Sequence, residues 1–141
     1  MNLVLDASVA LLWLVPRTNP TGVDYAEATL KALKAAQAIV PSLCALEIAN
    51  VITKVESKGL VTQADSQRFI TLFARLNIVT DQATAARALG DTLQLARRYK
   101  LSAYDGAYLE LALRTGLPLA TLDADLAQAA SATGVAIWGR P

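Results

Sequence analysis

Histidine is absent from the 141 residues, and cysteine occurs once, at Cys44. Without histidine there is no Ser–His–Asp or Cys–His nucleophile and no histidine acid–base nuclease. Zinc sites of the usual Cys/His type are excluded with them. A lone thiol forms no intramolecular disulfide, which fits a reducing cytoplasm. Cys44, between Leu43 and Ala45, reads as a small buried apolar residue. Charge is also scarce: 18% of residues are charged and the formal net charge is +1, so no global basic field coats the chain with nucleic acid. No apolar run approaches the roughly 20 residues of a membrane span. The N-terminus has no basic region and Asp6 interrupts its apolar run, so no signal peptide is expected. An enzyme with this composition works with carboxylates, hydroxyls, amides and a hard metal ion.

Apolar residues, by contrast, make up 54% of the chain, and the mean hydropathy is +0.37. Residues 1–141 suffice for one domain with a core that needs no staples. The apolar surplus without a membrane segment suggests surface covered by a partner or by self-association. The densest basic cluster, Arg97, Arg98 and Lys100, reads first as a solvated helix C-terminus complementing the dipole. Phosphate contact, there and at Lys54, is the alternative.

Punctuation by Gly, Pro and capping residues divides the chain into alternating elements. Short apolar strands are expected at 2–5, 38–40, 77–80, 117–122 and 135–138. Helices are expected at 7–14, 23–36, from a Ser42 cap to about 58, from a Thr62 cap to about 75, and from 84 to about 100. Two more run from a Ser102 cap to Gly116 and from Asp123 to about 132. This order predicts a three-layer α/β/α domain with a mostly parallel central sheet.

Four carboxylates stand out against that frame. Asp6 ends the first strand and Asp123 follows the strand at 117–122, both on the rim where open parallel sheets bind ligands. Asp105 lies in the first turn of the helix before that strand. Glu47 sits on an otherwise apolar helix among Leu43, Leu46 and Ile48, sharing a face with Asn50. Singly, Asp6, Asp105 and Asp123 read as helix caps, and Glu47 as half of a salt bridge. Together they point to one site. At ~4 Å each pair repels by about 4 kcal/mol at an effective dielectric of 20, and a divalent ion relieves the conflict. All-oxygen ligands suit Mg²⁺ or Mn²⁺, and such a centre hydrolyses phosphodiesters. Ser8, Asn50, Ser102 and Thr121 are the polar residues placed to orient carboxylates or waters.

The blocks VLDASV (4–9), PSLCALEIANV (41–51), LSAYDGAYLELA (101–112) and PLATLDADL (118–126) resemble, in this order, the PIN-domain family and within it the VapC-type toxins. The resemblance spans essentially the whole chain. It implies a PIN-like α/β/α fold with acidic residues Asp6, Glu47, Asp105 and Asp123, Asp125 competing for the last place, and small polar positions at Ser8, Asn50 and Thr121. Gly106 departs from the pattern, since the family more often carries a β-carbon there. The activity implied is a Mg²⁺- or Mn²⁺-dependent cytoplasmic endoribonuclease that inhibits translation, forms a homodimer and is neutralised by a cognate antitoxin. Two rivals remain open. One is a non-catalytic RNA- or protein-binding module that kept the fold. The other is a phosphotransferase with Asp6 as nucleophile, disfavoured because Ser8 occupies the place of its general acid.

Overall fold

The computed structural model describes residues 1–140. Four parallel strands, β1 (Leu3–Leu5), β2 (Ala38–Val40), β3 (Ile78–Thr80) and β4 (Leu119–Ala120), form one sheet in the order β3-β2-β1-β4. Helices cover it to give a three-layer α/β/α fold. They are α1 (Ala7–Ala10), α2 (Val23–Ala32), α3 (Cys44–Ser57), α4 (Gln63–Arg75), α5 (Thr84–Arg87), α6 (Leu93–Tyr99), α7 (Ala103–Thr115) and α8 (Ala124–Ala132). β1 is LVL with all three residues fully buried, as befits a strand sandwiched between two helical layers. The chain adds β2 and β3 on one side of β1 and then returns to place β4 on the other. A topological switch point therefore opens between β1 and β4, where open α/β sheets bind ligands beyond the strands' carboxyl ends.

The central helix is α7. Gly106 to Ala112 are all buried, and the helix packs on β1, β4, α6 and α8. Ser102 caps its start by accepting the Asp105 N–H at 3.1 Å, and Gly116, at φ 69°, ends it in the left-handed conformation that glycine adopts without steric cost. Gly106 fits a close approach: a β-carbon there would stand 3.2 Å from the Thr92 carbonyl oxygen. Its departure from the family pattern thus has a packing reason.

Several boundaries differ from the sequence expectation. Ser42 does not cap α3; it is exposed, its N–H donates to Thr84 Oγ1 at 3.0 Å, and the helix begins at Cys44. The helix expected over 84–100 is broken: Ala88–Thr92 forms a wide π-type turn in which Gly90 leaves helical geometry (φ −109°, ψ −107°). The final strand at 135–138 shrinks to one parallel bridge, Ile137 to Leu119. The strand expected at 117–122 pairs only at Leu119–Ala120, because Pro118 lacks an N–H and the chain turns at Thr121 to build the site. At Thr62 the expectation holds. Its hydroxyl accepts from the Asp65 N–H, while the Asp65 carboxylate accepts from the Thr62 N–H, a complete capping box.

Candidate active site

Register delivers the first two residues. Leu5 pairs with Ala120 across β1 and β4, and the Asp6 N–H donates to the Ala120 carbonyl at 2.9 Å. The next residue on β4's side, Thr121, then stands beside Asp6, and its hydroxyl donates to Asp6 Oδ2 at 2.7 Å. Ser8, two residues on, donates to the same oxygen at 2.6 Å. Each hydroxyl also accepts a backbone N–H from the turn after β4, Leu122 onto Ser8 at 3.1 Å and Asp123 onto Thr121 at 3.0 Å. A hydroxyl has one proton, so these accepted bonds direct both protons to Asp6. Asp6 is 4% exposed and makes no side-chain cap of the helix it precedes. Its cap reading fails.

Burial drives the Asp6 carboxyl above its ordinary range. The Ser8 and Thr121 bonds pull it back, and the Asp123 charge pushes it up further. Glu47, on α3, is likewise raised, first by burial and then by the charges on Asp6 and Asp105, with the bond from Tyr108 opposing. Asp105, in the first turn of α7, is pushed up to about 6 by burial and by the charges of Asp123 and Asp6, with a lesser push from Asp125. Asp123 does cap α8, its Oδ1 accepting the Leu126 N–H at 2.9 Å, yet its charge is felt at both Asp6 and Asp105. Thus Asp6, Glu47, Asp105 and Asp123 lie in one electrostatic neighbourhood at the switch point. Asp125 is exposed and acts on Asp105 alone among them.

Of the four polar residues expected beside the acids, Ser8 and Thr121 hold Asp6 directly, and Ser102 caps α7 under Asp105. Asn50 stands apart: it is exposed and lines, with Glu47, Leu43, Leu46, Val51 and Tyr104, a cavity of about 380 Å³. The sequence reading passed over Tyr108. Fully buried on α7, it donates its hydroxyl to Glu47 Oε1 at 2.7 Å, which fixes the one acid that has no cap. Its place three residues after Asp105 puts both on one helix face, a signal present in LSAYDGAYLELA. Glu47's partner is therefore a phenol rather than the basic residue of a salt bridge. Cys44, beside Tyr108, is pushed up to about 12 by burial, with Glu47 and Asp6 adding to the push, so it stays a neutral thiol.

The donor chemistry fits a hard divalent cation. All four groups offer carboxylate oxygens, and three have pKa values raised partly by each other's charge, which a cation would reverse. Among the described residues no three Asp, Glu or Cys side chains are close enough to enclose an ion by themselves.

Comparison with known proteins agrees with this fold. The PIN domain family model matches residues 3–132. The ribonuclease VapC3 of Pyrobaculum aerophilum is 30% identical over 129 residues, covering 91% of this chain and 94% of that protein. Among solved structures, PAE2754 of Pyrobaculum aerophilum superposes with a TM-score of 0.64 at 20% identity, over 92% of this chain and 87% of the other. VapBC2 of Rickettsia felis, bound to a fragment of its promoter DNA, gives 0.61 at 15% identity, over 87% and 88%.

Proposed function

The chain belongs to the PIN-domain family, and from that membership we propose that it is a metal-dependent endoribonuclease, the toxin of a toxin–antitoxin pair that inhibits translation. The observation that carries the reading is the meeting of Asp6, Glu47, Asp105 and Asp123 at the β1–β4 switch point, with three of the carboxyls raised by burial and mutual charge. A structural cap needs neither burial nor three acidic neighbours.

In this mechanism Asp6, Glu47, Asp105 and Asp123 are the residues that would hold Mg²⁺ or Mn²⁺ through their carboxylate oxygens. The ion, when bound, activates a water and offsets charge on the phosphate. Ser8 and Thr121 keep the Asp6 carboxylate oriented, and Tyr108 does the same for Glu47. With no histidine in the chain, a proton leaving the attacking water goes to a carboxylate. Asp105, at the start of α7, is the acid freest to take that proton. Glu47 and Asp6 are held by their hydroxyl donors and serve as fixed ligands.

The partners in this proposal are RNA as substrate, a cognate antitoxin protein and a second copy of the chain, all in the cytoplasm. Support for an antitoxin comes from the VapBC2 pair among its structural neighbours. No helix among the described residues is long and apolar enough to cross a membrane. The test is cleavage of pooled RNA by the purified protein. Parent protein with Mn²⁺ is expected to cut, and Asp105→Asn is expected to lose at least ~100-fold in rate. An Asp105→Asn protein that cuts like the parent contradicts the assignment.

A further inference from the structure

A second feature of the rim is cationic. The C-terminal end of α6 and the outer face of α8 enclose a cavity of about 500 Å³ lined by Arg98, Tyr99, Lys100, Asp125, Gln128 and Ala129. Both walls begin at the acidic rim: Asp125 lies in the first turn of α8, which Asp123 caps, and Lys100 ends α6 just before the Ser102 cap of α7, whose first turn carries Asp105. The Arg98 guanidinium lies over the Tyr99 ring, 5.7 Å from its centroid, which limits how far it wanders. Neither Arg98 nor Lys100 forms a salt bridge among the described residues. Lys100 carries a second, independent signal. It is the C-cap of α6 at φ 55°, the one non-glycine residue with positive φ among the described residues. Helix ends at Gly59 and Gly116 reach the same region with glycine. A lysine there bears a backbone strain that glycine would relieve, and such strain persists where the side chain has a use.

We propose that this cavity binds a backbone phosphate of the RNA strand, next to the phosphate that the acidic centre cleaves, with Arg98 and Lys100 as its cationic contacts and Gln128 as a neutral donor. The inference rests on the ribonuclease reading and adds a site for the phosphate beside the one cleaved. Four clustered carboxylates repel a polyanion, so a strand is held there by cations beside them, and this cavity supplies two. Asp125, the one anion in its lining, weakens the phosphate contact.

The test is equilibrium binding of a fluorescent single-stranded RNA, titrated with salt, in an Asp6→Asn background that leaves the RNA uncut. Lys100→Gly and Arg98→Gln are each expected to lower affinity and to make the log K against log[salt] slope about 0.7 less negative. Lys31→Gln, outside the cavity, should change neither. Asp125→Asn should bind more tightly. Lys100→Gly should keep or raise the melting temperature, which separates lost phosphate contact from lost structure. If the background protein binds RNA and neither cavity variant changes affinity or slope, the inference is overturned and the ribonuclease reading stands. The cavity is then left to an acidic protein segment. If the background protein binds no RNA at any salt concentration, both fall.

Discussion

Asp6 and Asp105 show how single side chains carry opposite demands. A carboxyl raised in the folded state makes folding less favourable as it ionises. For Asp105 the ordinary value is 3.8 and the folded value about 6. Its contribution is therefore fully present below about 3.8 and lost as pH rises through about 6. Asp81 and Asp65 are lowered instead, so they lose stability only below 3.8, outside that window. Metal-free protein is expected to melt higher near pH 5 than near pH 7. Asp105→Asn should reduce the difference, and saturating Mg²⁺ should reverse it; a melting temperature flat across that window contradicts the shared-site account. Tyr108→Phe removes the one hydroxyl holding Glu47. Cleavage should fall by about 10- to 100-fold, stability by about 1 kcal/mol, and the acidic limb of the pH–rate profile should move upward because Glu47 loses a bond that lowers it. An unmoved profile would limit Tyr108 to packing. The acids were legible as residues, since each breaks a local apolar pattern. Tyr108 was not, because an aromatic on a buried helix reads first as core.

Elements explain why some spans were readable and others were not. Helices with complete local signals, such as α4 with its Thr62–Asp65 box and α7 between Ser102 and Gly116, form where expected. Ser42 carried a capping residue's chemistry but lies two residues before the helix, inside the turn closed by the Cys44 N–H donating to the Pro41 carbonyl at 3.0 Å. Gly90 sat inside a helical pattern that tolerates one glycine, and only packing of the π-turn against α7 reveals the break. The same packing layer holds Arg114, whose guanidinium bonds Asp81 at 2.8 and 3.0 Å and Glu110 at 2.8 and 3.0 Å. This triad ties α7 to the turn after β3, with Glu110 only 4% exposed. Arg114→Leu would leave two carboxylates unpaired, one of them deeply buried. It should cost about 3 kcal/mol or more in urea unfolding, and a loss below 1 kcal/mol would mean the triad is dispensable.

At the scale of the whole molecule, alternation of short apolar strands with helices announced the layered fold, but not the strand order. The β3-β2-β1-β4 arrangement arises from where each crossover packs, which no local pattern encodes, and with it comes the switch point that gathers Asp6, Thr121 and Asp123. The apolar surplus reappears as exposed side chains, Leu89 at 88% and Leu46 at 75% among them. A second copy is expected to cover part of that surface, so sizing should return about twice 14.9 kDa; a concentration-independent monomer would contradict self-association. The central claim is tested most directly by RNA cleavage with purified, partner-free protein in Mg²⁺ or Mn²⁺, repeated in EDTA and with Asp6→Asn. The account predicts cleavage by the parent, lost both on chelation and in the variant. Cleavage that survives both would contradict a carboxylate–metal centre.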